Sequence, residues 1–192
     1  HSTHKNPYVI QVCATENIIE NFVESNKTLE RIQKNLNQYL ETKRMAFPRF
    51  FFLSDEGLLE ILSESRDPLR IQPHLQKCFE GIKELEFSDE LKILSMFSAE
   101  KEKVGFTEII NPFDQGGQVE IWINKVEEQM RESIRDIISK SIIDYSKKDR
   151  KKWVLDWQGQ VVLCVSQLYW TMEVESAIQS QGFRGLEKYL KK

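Results

Sequence analysis

The sequence predicts an α+β fold that is predominantly α-helical, with long helices packed around a small antiparallel sheet. Over long stretches, apolar residues recur at spacings of three and four, which is the pattern of amphipathic helices. In the stretch that ends at Ile110 the period shortens to about two, as in strands. Prolines fall at the boundaries between these stretches. A chain of 192 residues is long enough to bury a substantial core.

The first element is a long helix predicted over residues 15–42. Its narrow apolar seam, with Ser25 in the one polar slot, consists of Ile18, Phe22, Leu29, Ile32, Leu36 and Tyr39. Such a seam packs against one or two other helices, and we expect part of it to face chain outside this sequence. Residues 1–14 are interpreted as a tag remnant, from the histidines at 1 and 4, and an extended lead-in. Residues 15–192 are predicted to form a single unit, in which this helix leads into an α+β helical body over residues 43–192.

The run Phe50 to Leu53, between Pro48 and Ser54, predicts a short strand buried on both faces. If Phe51 is a core residue, we expect Phe51→Ala to cost roughly 3–5 kcal/mol. Ser54 suits the N-cap of the next helix, and the acidic residues that follow it complement the helix dipole.

The helix that begins at Ser54 is predicted to stop before Pro68, and a second helix to start near Pro73. The core face of the second helix is predicted to be Leu75, Cys78, Phe79 and Ile82. Further strands are predicted near residues 85–87, 91–97 and 104–110, and the last two form a hairpin around a charged turn. Because a lone hairpin is marginal in water, we expect it to recruit residues 85–87 and 50–53 as further strands.

Three helices are predicted in the C-terminal part of the chain. The first runs from Val119 to about Tyr145, and the second from Gln160 to about Gln179. The second helix is apolar on most faces, which predicts a central position in the fold. Gly182 is expected to end it, before a short last helix over residues 183–190.

Composition narrows the class of protein. The formal net charge of -3 gives no overall electrostatic attraction to nucleic acid or to an anionic membrane. The three cysteines are far apart and odd in number, which favours buried, reduced thiols over a disulfide framework. We find no signal peptide and no apolar run near the length of a bilayer, which predicts a soluble protein of a cytosolic compartment.

Each motif with chemical potential has a plainer interpretation that is favoured. His74 and Cys78 have the spacing of a two-ligand metal arm, but no second pair completes a site, so a packed cysteine beside an exposed histidine is expected. Neighbouring carboxylates such as Glu127 and Glu128, or Glu173 and Glu175, are expected to be solvated on helices rich in charge.

Two further motifs bear on phosphate binding. The basic run at residues 147–152, followed by Trp153, could bind nucleic acid, but a solvated helix end is the simpler interpretation. No phosphate-binding glycine loop is present in the sequence. We therefore predict no catalytic, cofactor-binding or metal-ligating residue and no cofactor.

Several segments closely resemble the linker region of dynein heavy chains. The most specific is Tyr39 to Ser54, with its Phe-Pro-Arg-Phe-Phe-Phe run. The similarity continues through Val119-Glu-Ile-Trp, Trp153 to Cys164 and Gln167-Leu-Tyr-Trp-Thr, and covers nearly all of residues 15–179. The Gln-Val-Val-Leu-Cys and Tyr-Trp-Thr wording is more similar to axonemal than to cytoplasmic dyneins. One departure is Gln158, where many relatives carry proline.

The resemblance implies a mechanical function. In that family the linker is a mostly helical arm that lies across a ring of AAA+ modules and bends and straightens as ATP is turned over. This sequence is similar to the ring-proximal, C-terminal part of the linker, and the catalytic loops of the family lie downstream of it. The implied partners are the AAA+ modules of the same chain and, through the parent chain, dynein subunits and microtubules. The implied location is the cytoskeleton of the cytoplasm and the ciliary axoneme. The alternative is a free-standing α-helical scaffold or adaptor that binds a protein partner. A small enzyme that uses surface carboxylates is a weaker third hypothesis.

Overall fold

A computed structural model describes residues 4, 8–13, 17–65 and 67–190 of the chain. The chain falls into two compact units, His1–Phe51 and Phe52–Lys192, and each is described by itself. Within the described residues the structure is mostly helical with one small sheet, which confirms the predicted fold class. No helix in this part of the chain has both the length and the apolar character needed to cross a bilayer.

The first unit is built on one long helix. A short helix, α1 (Val9–Cys13), comes first, and α2 (Ile18–Ala46) follows. The α1 residues were predicted to be extended, and they are helical because β-branched residues favour a strand only where neighbouring strands can pack against them. The predicted start of α2 at Thr15 lies outside the described residues. The helix continues past the predicted end and stops at Phe47, whose backbone is extended (φ −135°, ψ 97°) because Pro48 disfavours the helical region for the residue before it.

The strand predicted at residues 50–53 is wrong. Residues Pro48–Phe52 form a 3₁₀ helix, and the amide of Phe50 donates to the carbonyl of Phe47 at 3.0 Å. The two rings of this pair meet edge to face at 4.9 Å. Phe50 and Leu53 are buried, whereas Phe51 is 54% exposed and Phe52 75% exposed. The buried positions are thus three apart, which is the period of a 3₁₀ helix and not of a strand.

The second unit begins with two short helices. Ser54 caps α3 (Asp55–Ser63) as predicted, since its side chain accepts a hydrogen bond from the amide of Gly57 at 3.2 Å. After a 3₁₀ turn at Pro68–Ile71 comes α4 (Gln72–Cys78). The core face predicted for this segment is confirmed, because all four of its members are buried: Leu75, Cys78, Phe79 and Ile82.

The sheet has three antiparallel strands in the order β1–β2–β3: β1 (Glu84–Phe87), β2 (Ile93–Phe97) and β3 (Lys103–Ile110). Three of the four predicted strands are therefore confirmed. One carboxylate connects all three strands, since Glu86 on β1 accepts from Ser95 on β2 and pairs with Lys103 on β3, both at 2.6 Å. The ammonium of Lys103 and then the Ser95 hydroxyl hold the pKa of Glu86 below its usual range.

Polar side chains satisfy the backbone where the sheet is irregular. The register of β3 against β2 shifts so that Gly105 and Ile110 pair with Ser95 and Ile93, which leaves four residues of β3 in a bulge. The bulge amides of Thr107 and Glu108 donate to the side chains of Ser133 and Gln129, both at 3.0 Å. Both acceptors lie on the next helix, α5 (Val119–Tyr145), and both are buried.

On the other side of the sheet, Gln72 of α4 bonds both backbone groups of Leu85. Its amide donates to the carbonyl at 2.7 Å and its oxygen accepts from the amide at 3.0 Å. The sheet is therefore attached to a helix on each side by directed hydrogen bonds as well as by apolar packing.

The chain ends in three helices: α6 (Arg150–Asp156), α7 (Gly159–Gln181) and α8 (Phe183–Leu190). The boundaries agree with those predicted, but the central position of α7 is wrong. Of its residues only Val161 and Val165 are buried, and most of its large apolar side chains are exposed. A helix that is apolar all round needs cover on every side to be central. Within the second unit, α7 packs against α5 and α8.

Candidate functional site

The most unusual surface of the second unit is an exposed apolar stripe on α7. We call it the α7 face, and it consists of Leu163, Trp170, Val174 and Ile178. Their spacings of seven, four and four place these residues on one side of the helix. Leu163 is 67% exposed and Trp170 is 61% exposed. A contiguous apolar surface of this kind marks an interaction site more often than an exposed single residue does.

The opposite side of α7 is firmly attached to the rest of the unit. Val161 and Val165 pack with the fully buried Trp153 in one apolar cluster. Further along, the hydroxyl of Tyr169 donates to the carbonyl of Ile142 at 2.9 Å. Its ring stacks on that of Tyr145 with 3.9 Å between centroids. These contacts fix the side of α7 that points into the unit, and so they fix the direction of the α7 face.

Two tryptophans hold α6 against the end of α5. The indole N–H of Trp153 donates to the carbonyl of Ser141 at 3.2 Å, and that of Trp157 donates to a carboxylate oxygen of Asp144 at 3.1 Å. Lys148 pairs with the same Asp144 at 2.8 Å. The Lys148 ammonium is the main reason that the pKa of Asp144 lies below its usual range, and the Trp157 N–H acts in the same direction.

The start of α7 is also bonded to the β2–β3 turn. The amide of Gly159 donates to a carboxylate oxygen of Glu102 at 2.8 Å, and the side-chain amide of Gln158 donates to the carbonyl of Lys103 at 3.1 Å. Beside this joint lies a cavity of about 100 Å³ with mostly apolar walls, which include Met96, Val104, Met130, Ile134 and Val161. The hydrogen bonds close the end of the cavity where α7 begins.

At its other end, α7 turns sharply into α8. Gly182 makes the turn with φ +59°, a conformation that side chains rarely adopt. Gly185 then lies so close to α7 that a Cβ atom there would overlap the carbonyl oxygen of Ala177. The hydroxyl of Tyr189 donates to Glu173 at 2.9 Å, and this bond raises the pKa of that tyrosine. Of the predicted carboxylate pair Glu173 and Glu175, the first is therefore engaged by α8.

The predicted metal arm does not extend into a metal site. No group of three or more His, Cys, Asp or Glu side chains in the described part of the chain could hold a metal ion. His74 was expected to be exposed and is buried, with its Nε2 atom 3.6 Å from a carboxylate oxygen of Glu60 on α3. This position packs the ring between two helices, which the spacing in one helix could not reveal.

Two other groups of predicted residues can now be placed. All three cysteines are free, but only Cys78 is buried, so the prediction of buried thiols is wrong for Cys13 and Cys164. Both lie on exposed sides of helices whose apolar composition suggested burial. Glu127 forms an ion pair with Arg131 one turn away, as expected for a charged helix surface.

Sequence reasoning missed the side chains that bond the elements to one another, above all Gln129 and Ser133. A signal for them does exist. Together with Val126 they have helical spacings of three and four, so two polar residues interrupt the stripe that α5 buries. Polar residues in such a stripe indicate a hydrogen-bonded partner on the facing element. Taken together, the geometry supports a rigid body that presents an apolar face, which is the chemistry of an interface.

Known proteins with similar sequences are consistent in kind. The family model described as dynein heavy chain, N-terminal region 2, matches residues 1–141. The mouse protein dynein axonemal heavy chain 12 is 50% identical over 187 residues, which is 97% of this chain and 6% of that protein. Human dynein axonemal heavy chain 3 is 56% identical over 159 residues, which is 83% of this chain and 4% of that protein. Human dynein axonemal heavy chain 1 is 46% identical over 183 residues.

The chain thus spans only a small part of the length of these relatives. The family model covers both the α2 helix and the sheet, together with most of α5. Its description assigns the match to the N-terminal region of heavy chains. The resemblance seen in the sequence and the matched family model agree, and the chain belongs to the dynein heavy chain family.

Proposed function

We propose that this chain is a lever segment of an axonemal dynein heavy chain, which transmits ATP-driven changes of an AAA+ ring and does not itself catalyse a reaction. The observation that carries the proposal is the set of directed hydrogen bonds between elements of the second unit. Gln72 attaches the sheet to α4, Gln129 and Ser133 attach it to α5, and Glu102 attaches it to α7. Packed elements joined in this way move as one body.

The α7 face is the surface through which we propose that load passes to the rest of the heavy chain. Its residues are apolar and exposed here, and the relatives are far longer than this chain. The rest of the parent chain, including its ring of AAA+ modules, is the proposed partner. A ring-proximal position in the linker would bring this face close to the ring. Dynein subunits, microtubules and the ciliary axoneme follow as the proposed setting, because the relatives are named as axonemal dynein heavy chains.

The test is to separate ATP turnover from movement in the full-length heavy chain that contains this segment. Trp170→Glu places a charge on the α7 face, and Ala99→Glu places the same charge in the exposed β2–β3 turn as a matched control. We expect the Trp170 variant to retain microtubule-stimulated ATP hydrolysis but to lose gliding velocity, whereas the control keeps both. If both variants move microtubules at the normal rate, the α7 face carries no load.

A free-standing adaptor is the second candidate, and one observation favours it. The seam of α2 remains largely exposed, with Phe22 at 62% and Leu29 at 62%. An adaptor would use this seam to bind a separate protein. The two functions differ in the parent chain, because a lever requires ATP-binding modules downstream in the same polypeptide and an adaptor does not. The length of the messenger RNA that encodes the segment, with its reading frame, decides between them.

A further inference from the structure

The corner between α5 and α6 carries a dense group of cations. We call it the basic corner, and it consists of Lys147, Lys148, Arg150, Lys151 and Lys152. All five are exposed. This group is notable because the chain as a whole has a net charge of -3. The proposed lever function makes no use of these cations.

The carboxylates at the corner are already engaged within the unit. Asp144 binds Lys148 and the Trp157 indole, and Asp156 binds the same lysine at 2.8 Å. Asp149 caps α6, where its side chain accepts from the amide of Lys151 at 3.2 Å. These aspartates therefore neutralise one lysine and one helix end, and they leave the other ammonium groups of the corner uncompensated.

Three cations remain available to a ligand. In the part of the chain that the structure describes, the ammonium groups of Lys147, Lys151 and Lys152 form no ion pair. Lys147 also borders an open groove of about 340 Å³, together with Lys140, Lys148, Asp144, Ile143 and Trp157. Ile143 is 58% exposed, so the groove combines a cationic rim with an apolar floor.

The backbone that carries these cations is held rigidly. Trp153 is fully buried one residue after Lys152, and its N–H bonds the end of α5. The guanidinium of Arg150 lies 4.3 Å from the centroid of the Tyr145 ring, and this ring meets Trp153 edge to face. Cations on a rigid backbone lose less conformational entropy on binding than cations on a mobile loop.

We propose that the basic corner binds an acidic polypeptide segment that places one apolar side chain in the adjoining groove. Polypeptide fits better than nucleic acid, because the aromatic residue beside the basic run, Trp153, is buried and cannot stack on a base. The cations are also confined to one corner, whereas binding to the phosphate backbone of a duplex requires a longer basic surface. A short acidic segment needs only the charges and the floor that this corner offers.

The test uses the 192-residue chain and a fluorescein-labelled peptide of ten glutamates with one central leucine, at about 50 mM salt, where exposed charges are weakly screened. Binding is measured by fluorescence anisotropy. Lys147→Glu combined with Lys151→Glu reverses two charges of the corner. Lys77→Glu combined with Lys83→Glu changes the net charge equally at other exposed sites of the second unit and serves as the matched control. Circular dichroism confirms that both variants are folded.

We expect the corner variant to bind at least about tenfold more weakly and the control less than about twofold more weakly, because exposed ion pairs contribute modestly and locally. A peptide with serine in place of the leucine should also bind more weakly. The proposal is overturned if both double variants lose binding equally, or if neither loses it. It is also overturned if a 12-base-pair DNA duplex or vesicles with anionic lipid bind through the same lysines more tightly than the peptide does.

Discussion

The contact between α7 and α8 allows a sharp test of the packing at the end of the chain. Gly185 is buried, and a Cβ atom at this position would lie 3.0 Å from the carbonyl carbon of Ala177 and 3.3 Å from Cβ of Gln181, besides overlapping the Ala177 oxygen. Ordinary contact begins at 3.4 Å. Two of these atoms belong to the backbone of a helix, so they cannot move aside as a flexible side chain would.

Gly185→Ala should therefore force the two helices apart. Overpacking of this kind typically costs about 1–3 kcal/mol. The cost is limited here, because α8 has only eight residues and can detach while the rest of the second unit stays folded. We expect a small change in the main melting transition and a large increase in amide hydrogen exchange over residues 183–190.

Gly81→Ala is the matched control, because no atom lies within 4 Å of a Cβ built at that position. Its expected effect lies between neutral and a stabilisation of about 1 kcal/mol, since alanine restricts the unfolded chain more than glycine does. Hydrogen exchange followed by mass spectrometry reads both variants by segment. If residues 183–190 exchange at the same rate in Gly185→Ala as in the parent sequence, the close approach of α7 and α8 is refuted.

Three further predictions concern the joints of the second unit. Trp153→Phe should lower the free energy of unfolding by about 1–3 kcal/mol in urea titrations, because a buried carbonyl loses its donor, whereas Trp170→Phe should change it by less than about 0.5 kcal/mol. Gln158 already has φ −63°, so Gln158→Pro should be more stable than Gln158→Ala by roughly 0.4–1 kcal/mol, and equal stability of the two would contradict this backbone assignment. The pKa of Asp144 is lowered in the folded state, so its contribution to stability is present above its unfolded pKa and is lost as the pH falls through the folded value. Asp144→Asn should therefore destabilise the chain at pH 7 but lose its effect at the lowest pH at which the chain remains folded, as measured by urea midpoints at both values.

Periodicity in the sequence was sufficient to predict most of the fold. The change from helical spacing to a period of two located all three strands, and capping chemistry at Ser54 located the start of α3. It failed at Phe50–Leu53, because a short, continuously apolar run has no period of its own. Only the burial of every third residue distinguishes a 3₁₀ helix there, and burial depends on the rest of the fold.

The prediction for α7 was wrong for a different reason. Composition shows that many sides of the helix need cover, but not where the cover comes from. The exposed Leu163 and Trp170 are expected in a segment of a much longer protein, and they made α7 look like the centre of a complete one. The candidate interface could thus be read from the sequence as an apolar helix, while its exposure could not.

The directed bonds between elements were beyond sequence reasoning, and they matter most for the proposed lever. Apolar packing is non-directional, so it resists separation of two elements more than it resists sliding of one past the other. Hydrogen bonds weaken steeply as their angle departs from linearity, so they resist sliding as well. Gln129 accepts from both the Thr107 hydroxyl and the Glu108 amide, which fixes α5 in register with the bulge of β3. A bulge with satisfied amides therefore does for a load-bearing body what a larger apolar contact could not, because it sets the position of the helix along the strand.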